Sequence, residues 1–257
     1  MRRATMHMST ALKGRARATV ARPLAVTVAL VCLLGVAGVL CAPMSISAQA
    51  GSQTRAFESG TLPPTIPIFP LQDVMLFPQA TRRLHIFEPR YRDMVADALK
   101  GDGLIGMVLL EPGYEAEYEG RPPVYPVGSA GIIAEVEELP DGRYNILLRG
   151  LTKFRITGED QSRSYRLAHV EAIPEELTDA ERVTLGDLRE ELSALLPFGL
   201  PGLQVPAGLP DEDLVNGIAQ AIQIDPRDRL GLLEQPGPLA RAQALIDLLY
   251  IRSALPR

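Results

Sequence analysis

The sequence has no tryptophan and only two cysteines and three histidines in 257 residues. Both cysteines, Cys32 and Cys41, fall in the first fifty residues. The rest of the chain therefore holds no disulfide, no thiolate nucleophile and no cysteine-ligated metal. His85 and His169 lie in strand-like runs with no second histidine or carboxylate at ligand spacing, so no metal and no cofactor is expected. The signatures of a phosphate-binding loop (G-x-x-x-x-G-K-[ST]), a zinc protease (H-E-x-x-H), a nucleophile elbow (G-x-S-x-G) and a dinucleotide fold (G-x-G-x-x-G after a strand) are all missing. A serine–lysine dyad has only Lys100 and Lys153 to draw on beyond the first fifty residues. Lys100 ends a helix pattern, where its charge suits the helix dipole. Lys153 stands in the run Arg149, Lys153, Arg155, which reads as a solvated strand face. Four glutamates between Glu111 and Glu119 lack the Asp/Gly spacing of a calcium loop and read as a solvated acidic loop.

Acidic residues are scarce only at the N-terminus. Residues 1–50 carry six Lys/Arg and no Asp or Glu, leaving 20 basic against 31 acidic residues beyond them, a net charge of −11. Such a surface repels a phosphate backbone, so no nucleic acid is expected as a partner. The uncharged stretch 24–40 follows that basic region and precedes Ala48-Gln49-Ala50, the layout of a secretory signal cleaved after Ala50. The expected compartment is then periplasmic or extracellular. An uncleaved membrane tether through 24–40 is the alternative, although seventeen apolar residues sit at the short end for a hydrocarbon core of about 30 Å. A misassigned start codon, giving a cytoplasmic protein, is a third.

Beyond a small, polar lead-in at 51–64, the period of the apolar residues separates two regions. Short apolar runs at Ile66–Phe69, Val74–Phe77, Leu84–Phe87 and Leu104–Leu110 read as strands, the first an edge strand because of Pro67 and Pro70. A single helix is expected from Pro89 to Gly101, with Tyr91, Met94, Val95, Ala98 and Leu99 on one face. Pro140-Asp141-Gly142-Arg143 forms the turn of a hairpin over 132–148, which Arg149-Gly150 ends. Two further alternating runs, around Phe154 and from Tyr165 to Ile173, complete a small closed or partly closed β-barrel over 65–176. After Pro174 the period becomes helical. A capping box at Thr178 and Glu181 opens a helix to about residue 196, a Pro/Gly-rich loop follows over 197–210, and helices are expected at 211–222, 226–234 and 238–254. Residues 177–257 thus read as a helical bundle, and the fold class as α+β, mainly β and then α.

Three segments in order resemble the N-terminal substrate-binding domain of Lon proteases. They are Ile66–Pro78 (IPIFPLQDVMLFP), Leu84–Tyr91 (LHIFEPRY), and Gly128–Arg143 followed by Leu148–Ile156. The similarity spans roughly 65–252. It implies a PUA-like pseudo-barrel followed by a helical bundle, and a non-catalytic module that binds unfolded or extended polypeptide without the family's ATPase and peptidase modules.

Leu76, Phe77 and Pro78, with His85 and Phe87 on the next strand, are the candidate lining of a groove for an extended peptide, by strand addition or in an apolar pocket. Core packing is the alternative for these residues. An RNA-binding PUA-like module and a small-molecule-binding β-barrel are the rival functions.

Overall fold

The computed structural model describes residues 61–114, 120–200 and 202–254, without the side chains of 198 and 199. Strand β1 (Thr65–Leu71) leads through an irregular segment to β2 (Thr81–Ile86), helix α1 (Pro89–Lys100) and β3 (Leu104–Leu110). Two long strands, β4 (Val124–Glu138) and β5 (Tyr144–Asp160), form the hairpin, and β6 (Arg166–Ile173) ends the sheet. Four helices follow: α2 (Asp179–Gly199), α3 (Asp211–Ala221), α4 (Pro226–Glu234) and α5 (Pro238–Ala254). The mixed β-then-α architecture expected from the periodicity is the one observed. The export signals read at Ala48, Ala50 and 24–40 fall outside the described residues, among which no helix is long and apolar enough to cross a membrane.

The sheet order is β2-β5-β4-β3-β1-β6, and β5 pairs with β6 as well, so five of the six strands close on themselves. The barrel interior is filled by Ile66, Ile68, Val108, Ala130, Phe154, Ala168 and Val170. Phe154 is the bulky member, and its ring needs bare backbone around it. A Cβ on Gly128 would sit 2.7 Å from its ring and 2.5 Å from the Met107 carbonyl oxygen.

Four local expectations change. β1 is not an edge strand, because it pairs with β6 through Thr65–Ile68 and in parallel with β3 through Ile68–Leu71. Each half of β1 is paired on one side only, which leaves Pro67 and Pro70 a side where no N–H is required. The hairpin does not end at Arg149-Gly150; β5 continues through it, with a register shift against β4 between Ala130 and Gly131. A Cβ on Gly150 would lie 2.0 Å from the Phe77 carbonyl oxygen, so the bulge is where the preceding loop crosses the strand. Helix α2 keeps Pro197 inside its last turn and reaches Gly199, while its capping box forms as expected.

The fourth change concerns Val74–Phe77, which is extended but joins no ladder. Its main chain is held by one side chain: Gln220 Oε1 accepts from Phe77 N at 2.9 Å, and Gln220 Nε2 donates to Met75 O at 3.0 Å. Alternation then deals its side chains to two cores. Met75 and Phe77 enter the helical core, whereas Val74 and Leu76 join the layer between α1 and the sheet. This segment therefore staples barrel to bundle.

A buried ionic cluster crosses the same junction. Lys153 on β5 contacts Glu175 at 2.7 Å and donates to Gln235 O at 2.5 Å. Arg241 on α5 also pairs with Glu175, and it donates to Asn216 Oδ1 at 2.5 Å and to Leu232 O at 2.9 Å. Lys153 is 2% exposed, so it is no solvated strand face. Burial holds its amine below the ordinary lysine value, opposed by the Glu175 carboxylate.

Candidate functional site

The distal halves of β4 and β5, with β2, extend the barrel into a three-stranded flap. One face is apolar: Leu84, Ile86, Ile146 and Leu148 pack with Tyr91, Met94 and Val95 of α1. The period of two sends the other face outward. There the register aligns two rows across the strands: Arg83, Leu147 and Glu135, then His85, Asn145 and Glu137. A shallow open depression of about 490 Å³ lies over these rows.

The second row is bonded end to end. His85 Nδ1 donates to Asn145 Oδ1 at 2.7 Å, and Asn145 Nδ2 donates to Glu137 Oε2 at 2.8 Å. Arg143 Nη1 donates to His85 Nε2 at 3.2 Å, which assigns the imidazole proton to Nδ1. Arg143 is itself held by Asp141 at 2.7 Å. Its backbone N–H, foremost, and its guanidinium keep the Asp141 carboxyl below the usual carboxylate range. Both ring nitrogens are occupied by neighbours, so His85 is a link in a surface network and has no nitrogen free to act as a base. In the first row Arg83 reaches Glu135 at 3.5 Å, a solvent-exposed pair of small energetic weight.

The five groove candidates separate. Leu76 and Phe77 are 0% exposed and Pro78 is buried with them. They are interior residues, because the Gln220 clamp turns the segment between two cores, and they offer no side-chain surface to a peptide. His85 and Phe87 are exposed and adjacent. Phe87 is 60% exposed, and its ring stacks on His85 with centroids 6.2 Å apart and planes at 24°. Asn145, Glu137 and Arg143 were absent from the sequence-derived set. Their signal was the turn itself: Leu139 N bonds to Arg143 O at 2.8 Å, and that register, continued by two, brings Glu137 opposite Asn145.

The edge beside this face is open. β2 ends the sheet order, and among the described residues its only ladder partner is β5. An unpaired edge next to an exposed aromatic ring can accept an added strand through main-chain hydrogen bonds. The Lys153 amine is committed to Glu175 and Gln235, and no group of three His, Cys, Asp or Glu among the described residues is placed to hold a metal.

Lon protease 2 of Syntrophobacter fumaroxidans is 28% identical over 182 residues, covering 68% of this chain and 23% of that protein. Lon protease 2 of Myxococcus xanthus is 24% identical over 231 residues, covering 80% and 27%. The chain spans about a quarter of the length of these relatives. The solved N-terminal domain of the Mycobacterium avium complex Lon protease has the same fold, with a TM-score of 0.55 at 18% identity over 72% of this chain and 98% of that domain. A family model, the ATP-dependent protease La (LON) substrate-binding domain, matches residues 65–250, and the chain belongs to that family.

Proposed function

We propose that this chain is a non-catalytic polypeptide-recognition module, which captures an extended segment along the free edge of β2 beside Phe87 and neither unfolds nor cleaves it. Membership of the LON substrate-binding family carries the reading. The edge supplies main-chain pairing indifferent to sequence, and Phe87 supplies apolar contact area. One short strand edge must offset the ordering entropy of a flexible partner, so binding is weak. The first fifty residues direct export, with cleavage after Ala50, and the clients are polypeptides met outside the cytoplasm.

The test is titration of the purified chain with a permanently unfolded protein, without nucleotide, at low and high salt. Binding that persists at high salt, and weakens in Phe87→Ala without loss of thermal stability, supports the reading, because apolar burial survives screening. Failure to bind unfolded protein overturns it. So does binding of RNA alone, with a steep salt dependence.

A further inference from the structure

Where β3 leaves the barrel and the first turn of α4 approaches it, a second cavity of about 210 Å³ opens, lined by Leu109, Tyr114, Tyr125, Glu111, Asp225 and Arg227 among others. Small-molecule sites usually enclose roughly 300–1,000 Å³. This volume suits a single long side chain. Two observations say which kind.

The first is charge. Two carboxylates, Glu111 and Asp225, line the cavity against one guanidinium, Arg227. Asp225 is used as the helix cap, accepting from Arg227 N at 2.8 Å. Glu111 is half-buried, and among the described residues its carboxylate has no hydrogen-bond or ion-pair partner. A partly desolvated anion without a partner favours a cation in the space beside it.

The second is the aromatic wall. The Arg227 guanidinium carbon lies 4.5 Å from the centroid of Tyr125, inside cation–π range, so the ring already carries a cation supplied by the chain itself. Tyr114, 39% exposed, supplies a second ring at the cavity. Rings and an unmatched carboxylate together are the chemistry that recognises a guanidinium.

We propose that this cavity is a subsite for an arginine side chain of a bound polypeptide, and that Arg227 is the internal occupant of the Tyr125 face with which that arginine competes. The inference rests on the polypeptide-recognition reading and narrows it to segments that pair a basic residue with apolar ones.

The experiment is calorimetric titration of the full chain with two short acetylated, amidated peptides of leucine, valine and glycine, one with a central arginine and one with citrulline in its place. Citrulline keeps the shape and removes the charge. The arginine peptide is expected to bind about tenfold tighter. Glu111→Gln abolishes that preference, and Arg227→Gln tightens the arginine peptide by clearing the Tyr125 face, an effect opposite in sign to simple structural damage. Equal affinity for the two peptides, a preference that survives Glu111→Gln, or weaker binding by Arg227→Gln overturns the subsite. If both peptides bind equally and Phe87→Ala weakens both, the subsite fails and the polypeptide reading stands. If neither peptide nor an unfolded protein binds, both fail together.

Discussion

Phe77→Ala is the substitution that best separates a core residue from a groove residue. The ring is fully buried in the helical core, with the Arg241 guanidinium 5.5 Å from its centroid. Truncating a buried phenylalanine costs about 3–5 kcal/mol, more where the surroundings cannot collapse into the space. Collapse is restricted here. The backbone at Phe77 is fixed by Gln220 on one side, and on the other Gln79 N and Ala80 O bond to Gly150 at 3.0 and 2.8 Å. The upper half of that range is therefore expected, a large part of the ~5–15 kcal/mol that holds a domain together. At about 2–4 °C per kcal/mol for a chain of this size, the midpoint falls by roughly 10 °C or more. Urea denaturation followed by circular dichroism measures the loss, with Phe87→Ala as the control. Phe87 is exposed, so its truncation should change stability by no more than about 0.5 kcal/mol. A Phe77→Ala protein within about 1 kcal/mol of the parent would refute the assignment of the segment to the core.

Glu175→Gln leaves Lys153 and Arg241 buried without their shared anion and should cost about 3–5 kcal/mol, read from the same denaturation curves. Asp97 accepts from Lys100 at 3.1 Å, from the Tyr165 hydroxyl at 3.1 Å and from Arg163 at 3.3 Å. The first two of these bonds in particular hold its carboxyl below the usual range. Its contribution is thus present above the unfolded aspartate value of about 3.9 and is lost as pH falls through the lower folded value. Asp97→Asn should flatten the acid limb of stability against pH. Ala50→Leu should block processing, and mass spectrometry of the parent protein from cells should find a species starting at Gly51.

Elements whose signals are local were legible in the sequence. The capping box at Thr178 and Glu181 and the Asp141-Gly142 turn satisfy their own backbone groups, the prolines opening α1, α4 and α5 carry no N–H that needs a partner, and each appears where expected. What failed depended on distant partners. Val74–Phe77 has strand composition, but a side chain 143 residues further on satisfies its main chain. Lys153 looked like one member of a basic run, and nothing nearby in sequence announces Glu175 or Arg241 as its neighbours. Pro67 and Pro70 suggested an edge because the rule assumes a strand paired along its whole length, whereas β1 changes partners at Ile68. Of the groove candidates, His85 and Phe87 emerged exposed because they alternate with the half-buried Leu84 and the buried Ile86; the resemblance alone did not distinguish them from Leu76 and Phe77.

Hydrogen–deuterium exchange of the full chain, with and without saturating unfolded polypeptide, tests the central claim most directly. Capture at the free edge pairs backbone amides that are otherwise open to water, so new protection should appear in residues 81–87 and disappear in Phe87→Ala. Bound polypeptide that leaves the exchange of 81–87 unchanged, with protection confined elsewhere, would contradict the account.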